Sequence, residues 1–214
     1  YFFVNGLQVG TTQTYATSLT TGGTTYIGHN SGTAYGFNGY ISNFRFVNGT
    51  ALYTANTTLS TAPLTYVANT SLLTCQSNKL IDNSNNNFTI TKGGDTKVNP
   101  FNPFNGTPTT ITVPGANNYS VYFDGTGDYL AILTSSAFNI ATNSFTVEAW
   151  INTSSATQQS IFNISDTGST GYGAVRVQVL ADKTVQWLMG PGGSWGVAVT
   201  AGSIVLGAWN HIAI

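Results

Sequence analysis

Charge is what this sequence has least of. Among 214 residues, six are Lys or Arg and seven are Asp or Glu, so charged side chains make up 6% of the chain and the net charge is −1. Nucleic-acid and anionic-membrane binding both depend on clustered Lys and Arg, and no such cluster occurs here, which excludes those partners. Cysteine occurs once, as Cys75, so an intrachain disulfide is excluded. Within "SLLTCQSN" Cys75 reads as a small apolar strand residue, because a thiol nucleophile needs a nearby base and an electropositive setting. No stretch reaches the ~20 apolar residues of a membrane span, and the apolar start "YFFV" lacks the basic flank and the length of a signal peptide. Glutamate also occurs once, as Glu148. Retaining glycosidases need two carboxyl groups ~5–5.5 Å apart, and "FTVEAWI" has no acidic residue two or four positions on, so Glu148 reads as a structural residue. His29 and His211 have no Ser, Cys or Asp at triad-like spacing, and His211 alternates with Trp209 and Ala213 as a sheet residue would. Zinc-ligand spacing and a phosphate-binding loop are missing too. The expectation is a protein that is not an enzyme.

What is present is Thr, Asn, Ser, Gly and strand-forming apolar residues. "FVNGLQV" places Asn5-Gly6 between two alternating apolar runs, a strong hairpin signal because a type I′ turn needs positive φ at both central positions. "FNGYI", "FVNGTALY" and "YFDGTGDYL" repeat the device. In "AVRVQVL" Val175, Val177 and Val179 share one face, with Arg176 and Gln178 on the other. "FTVEAWI" likewise sets Phe145, Val147, Ala149 and Ile151 on one face; both are the period-two pattern of a half-buried antiparallel strand. No segment of helical length keeps a 3.6-residue apolar period. Many short strands with frequent turn signals predict an all-β fold, a two-sheet antiparallel jelly-roll sandwich. Trp150 and Trp209, in apolar strands, are expected to pack between the sheets. Trp195, in the Gly-rich "GPGGSWGV", is expected on a partly exposed loop.

"YSVYFDGTGDYLAI", "FTVEAWI", "WNHIAI", "YFFVNGLQVG", "YIG" and "FNGYISNFRFVNGTALY" together resemble the successive strands of the LamG-like jelly roll, a branch of the concanavalin A-like lectin and glucanase superfamily. "LLTCQSN", "IDNSNNNFTIT" and "NPFNPF" are similar to repeated modules of large virion and surface proteins from marine phages and bacteria. In that family the "FDG" and "FTVEAWI" strands come first and the "GYI...R...G" segment closes the domain; here the closing half comes first. Residues 1–62 therefore resemble the C-terminal part of one LamG-like jelly roll. Residues 63–214 resemble the N-terminal part of the next, or of the same domain if the fold is permuted. Both ends look like cuts through apolar strands, since termini ordinarily lie in frayed polar segments. The sequence thus reads as a fold in shifted or permuted phase.

The resemblance implies a structural repeat of an extracellular or virion fibre with an adhesive role, whose partners are copies of itself in a tandem array or polymer. The alternative is a glycan-binding, lectin-like module of an adhesin or of a carbohydrate-active enzyme, with cell-surface glycans as partner. Location outside the cell, on a cell surface or in a virion follows from either. Sugar rings stack on exposed aromatics, and the candidates are Trp195, Tyr172, His29 and Tyr35, all in Gly-rich loops; the competing reading is that these rings cover strand ends. No cofactor is called for. Related jelly rolls hold structural calcium through loop oxygens, to which Asp124, Asp128 or Asp166 would contribute, but these residues also read as turn caps and no metal site is assigned.

Overall fold

A computed structural model describes residues 1–19, 23–30, 34–104, 118–165, 173–191 and 194–214. In chain order the strands are β1 (Phe3–Val4), β2 (Leu7–Gln8), β3 (Thr25–Ile27), β4 (Asn38–Asn48) and β5 (Thr70–Thr74). Next come β6 (Thr91–Gly93), β7 (Lys97–Asn99), β8 (Ser120–Asp124), β9 (Tyr129–Ile132) and β10 (Phe145–Asn152). The last five are β11 (Gln159–Ser165), β12 (Gly173–Val179), β13 (Thr184–Met189), β14 (Val197–Ser203) and β15 (Asn210–Ala213). Among the described residues the helical content is a single 3-10 turn at Ser136–Phe138, whose N-cap Ser135 accepts from the Ala137 amide.

The strands form two antiparallel sheets. The 8-stranded sheet runs β2-β1-β15-β10-β4-β8-β7, with β5 paired to the far half of β4, and the 7-stranded sheet runs β14-β13-β12-β11-β3-β9-β6. The sheets face each other across an apolar core, which makes the molecule the jelly-roll sandwich that the alternating pattern predicts. Val147, Ala149 and Ile151 point inward from β10, and Val175, Val177 and Val179 from β12. Phe44 and Phe46 of β4 meet Phe162 of β11 across the core, with ring centroids 5.0 and 6.3 Å apart. Phe162 is fully buried, and truncating such a ring costs ~3–5 kcal/mol.

Residues 1–62 and 63–214 interleave. β4 sits between β10 and β8 in one sheet, β3 between β11 and β9 in the other, and β1 beside β15. The register sets Phe3 opposite Ala213 and Ile41 between Ile151 and Val121.

The turn signals divide. Asn5 and Gly6 have φ of 52° and 79° and close the β1–β2 hairpin, Val4 opposite Leu7, as the I′ signature requires. Among the described residues the three other Asn/Asp-Gly pairs do not make two-residue hairpins. Asn38-Gly39 opens the 11-residue strand β4; a Cβ on Gly39 would lie 2.2 Å from the Asn152 carbonyl oxygen, so the glycine serves close backbone approach. Asn48-Gly49 ends β4 ahead of a long connection to β5, and Asp124-Gly125 carries the chain from one sheet to the other. Cys75 follows β5 and is buried in the core, where desolvation raises its thiol pKa.

Candidate functional site

Two outer faces, one on each sheet, carry the polar side chains that strand alternation directs away from the core.

On the 8-stranded sheet, β10 is flanked by β15 and β4, and the register sets Glu148 opposite Arg45 on one side and Trp150 opposite His211 on the other. Glu148 is 1% exposed. Its Oε1 accepts from Arg45 Nε at 2.8 Å and Nη2 at 2.6 Å, and its Oε2 accepts from the Tyr53 hydroxyl at 2.8 Å. His211 Nε2 lies 3.0 Å from the same Oε2, and Arg45 Nη1 donates to the Thr65 carbonyl. Burial alone pushes the Glu148 carboxyl up. The His211 hydrogen bond, the Arg45 charge and the Tyr53 hydroxyl outweigh it and hold the carboxyl below the usual glutamate range. The Tyr53 hydroxyl is raised by desolvation and then by the Glu148 charge. This arrangement accounts for Glu148 as a structural residue and for His211 as a hydrogen-bonded one.

The expected inter-sheet packing of Trp150 and Trp209 is overturned. Both lie on this outer face: in β10 the core-facing positions are Val147, Ala149 and Ile151, so Trp150 points away, and next to β15 Trp209 shares the parity of His211 while Ile212 and Ile214 face the core. Trp150 packs against His211 and Phe104, and Trp209 against Phe101 and Tyr40, with centroids 5.1–6.5 Å apart. Apolar alternation marks two faces but cannot tell the core from a face roofed by residues 100–104.

The outer face of the 7-stranded sheet is different in kind. The register lines up Tyr26, Asn163, Arg176 and Leu188 across β3, β11, β12 and β13. Arg176 Nε donates to Asn163 Oδ1 at 3.3 Å, and its guanidinium lies over the Trp195 ring, 5.3 Å from the centroid. Desolvation lowers the Arg176 pKa, and the neighbouring Tyr35 opposes that shift. One strand position along, Gln178 Nε2 donates to Gln186 Oε1 at 2.6 Å and Gln186 Nε2 to Thr200 Oγ1 at 2.8 Å. Gln178 Oε1 is a buried acceptor without a partner.

Of the loop aromatics singled out from sequence, two come to this face. Trp195 is half-buried beneath Arg176. Tyr35 is 41% exposed with φ of 66°, and its carbonyl accepts from the Ser160 amide at 2.8 Å. His29 is buried, its Nδ1 paired with the Asn30 carbonyl and its ring 6.0 Å from Tyr129, so it offers no stacking face to solvent. Tyr172 lies outside the described residues. Sequence reasoning missed Asn163, Arg176 and Gln178 as site residues. For Arg176 and Gln178 the signal was the alternate positions of "AVRVQVL", which read only as a solvent face; they are in fact 5% and 3% exposed.

Asp124 and Asp128 come together with Asp95, their carboxylate oxygens within 4.8 Å of one another; Asp166 lies outside the described residues. Asp128 Oδ1 accepts from the Asp95 amide at 2.9 Å and Oδ2 from the Asp124 amide at 2.8 Å, while Asp124 Oδ1 accepts from the Thr126 amide at 2.6 Å. These are the bonds of turn caps. Among the described residues this is the one group of three or more His, Cys, Asp or Glu side chains spaced closely enough to share a cation.

Residues 123–214 match a laminin G-like family model of the concanavalin A-like lectin/glucanases superfamily. Domains of this type are typically non-catalytic binding modules, within a superfamily that also includes glycosidases. Neither a curated protein nor a solved structure matches the chain.

Proposed function

We propose that this concanavalin A-like jelly roll is a structural and adhesive module of an extracellular or virion fibre, whose partners are further copies of itself. The observation that carries the reading is the interleaving of residues 1–62 with 63–214. β4 and β3 fill interior places in both sheets, so the later residues alone leave each sheet with an unfilled gap. In this structure the chain fills the gap itself; the same strands of a neighbouring copy would fill it through the same pairings, and successive exchange would build a fibre rather than a closed particle. The low charge supports close association, since self-repulsion between copies is small. Among the described residues no helix is long and apolar enough to cross a membrane.

Light scattering behind size-exclusion chromatography, together with electron microscopy, tests this. The expected result is concentration-dependent oligomers and filaments with an axial repeat of one sandwich. A strictly monomeric particle at every concentration overturns it.

The second reading, glycan binding, has its own support in the outer face of the 7-stranded sheet. Trp195 and Tyr35 provide aromatic surface, while the partly exposed Gln186 and the exposed Thr200 provide hydrogen-bonding groups for sugar hydroxyls. Glycan-array binding that is lost in Trp195→Ala supports it, and an array without binding removes it.

A further inference from the structure

Eleven tyrosines stand against a single cysteine in this chain, so no disulfide fastens residues 1–62 to residues 63–214. Among the described residues two pairs of tyrosine rings are in contact, and both pairs join those two parts. Tyr40 of β4 meets Tyr122 of β8 with ring centroids 5.1 Å apart and planes at 49°. Tyr26 of β3 meets Tyr129 of β9 at 5.6 Å and 78°. All four are half-buried, on the outer faces of their sheets. β4 and β8 pair over four positions, Asn38–Ile41 against Val121–Asp124, so the first pair of rings lies within a short joint.

Tyr40 and Tyr122 are directly opposite in the register, where cross-strand side chains lie closest. Oxidised phenols couple through the ring carbons ortho to the hydroxyl. The planes of two rings bonded in this way are tilted, because their ortho substituents clash when coplanar. The Tyr40–Tyr122 pair already combines proximity with such a tilt. Tyr26 is instead opposite Ala131 and reaches Tyr129 diagonally. The two rings meet nearly perpendicular, which sets the edge of one against the face of the other. Bonding between their edges would require one ring to turn.

We propose that Tyr40 and Tyr122 form an oxidative cross-linking site, where a peroxide acting in one-electron steps joins them as dityrosine. Each phenol loses one electron and its hydroxyl proton, which leaves a radical with spin density on the ortho carbons. One bond then forms between an ortho carbon of each ring, and the two displaced ring hydrogens move to the oxygens and restore both phenols. The O–O bond of the peroxide breaks as it accepts the two electrons; hydrogen peroxide also takes up the two protons and leaves as water. The product staples β4 to β8 and closes the chain between residues 40 and 122, which restricts the unfolded state as a disulfide of the same span would. It forms whichever copy supplies β4, so it does not depend on the fibre reading. The test illuminates dilute protein with a ruthenium tris-bipyridyl complex, a small one-electron oxidant, and persulfate, the peroxide that becomes two sulfates. At high dilution the contact within the fold outcompetes chance encounters between copies. The expected result is dityrosine fluorescence, a mass lower by two hydrogens and, after proteolysis, a cross-linked peptide joining residues 40 and 122. Tyr40→Phe and Tyr122→Phe should each abolish that peptide, and Tyr129→Phe should leave it in full yield. Dityrosine that maps chiefly to other residues, or that joins 26 to 129 as readily, overturns the proposal. So does undiminished fluorescence in either Phe variant at positions 40 and 122, or no 40–122 product under conditions that cross-link copies through the exposed Tyr66 at higher concentration.

Discussion

The two outer faces each bury an arginine, and they satisfy it in opposite ways. Arg45 is closed by a carboxylate: Glu148 takes two of its donors, and His211 and Tyr53 saturate the other oxygen. Arg176 rests on the amide of Asn163 and the face of Trp195. The first arrangement is a sealed structural joint that ties β4, β10, β15 and the 50–66 connection together. The second sets the half-buried Trp195, the exposed Tyr35 and the partly exposed Gln186 at the rim. A buried charge with a charged, fully hydrogen-bonded partner ties together the strands that carry the two groups.

The largest expected effect separates the two faces directly. Arg45→Met leaves Glu148 buried without its cation and should destabilise the domain by ~3–5 kcal/mol, the cost of breaking one side of a buried pair, measured by urea denaturation. If the loss is under ~1 kcal/mol, the joint is not structural. Next comes pH. Because the folded Glu148 pKa is depressed, its contribution is fully present above the ordinary glutamate value of ~4.3 and is lost as pH falls through the lower, folded value. The urea midpoint of the wild type should therefore drop on acidification below about pH 5, and Glu148→Gln should flatten that slope. Tyr53→Phe removes one charge-assisted hydrogen bond and should cost ~1.5–3 kcal/mol in the same assay. The smallest effect belongs to the other sheet. Trp195→Ala removes a ring beneath Arg176 and should cost ~0.5–2 kcal/mol while abolishing glycan retention. A stability loss as large as that of Arg45→Met would make the 7-stranded face a structural joint as well.

How far each face was legible follows from the same contrast. Alternation in "FTVEAWI" and "AVRVQVL" picks out the residues that fill the core, because side-chain direction in a strand depends only on parity. The residues of the opposite parity were legible only as outward. Trp150 and Trp209 look like core residues by composition, yet parity places Trp150 outside, and segment 100–104 supplies the cover that an indole needs. Arg176 and Gln178 looked like solvent-facing residues and are buried. Nothing local distinguishes these outcomes, since the covering segments are distant in sequence. The Asn5-Gly6 hairpin was legible because its two φ values are a local demand met by two adjacent residues. The same dipeptide at Asn38-Gly39 answers a different demand, made by the backbone of Asn152.

The chain itself determines the all-β alternation, the membership of the inward-facing set and the hairpin between β1 and β2, since each depends on neighbours within a few residues. Tertiary structure decides what covers the outer faces and which charges meet. Arg45 and Glu148 are 103 positions apart and His211 lies a further 63 beyond. Only the register of β4, β10 and β15 brings them within hydrogen-bonding reach, and that register is set by the fit of whole sheets around one core.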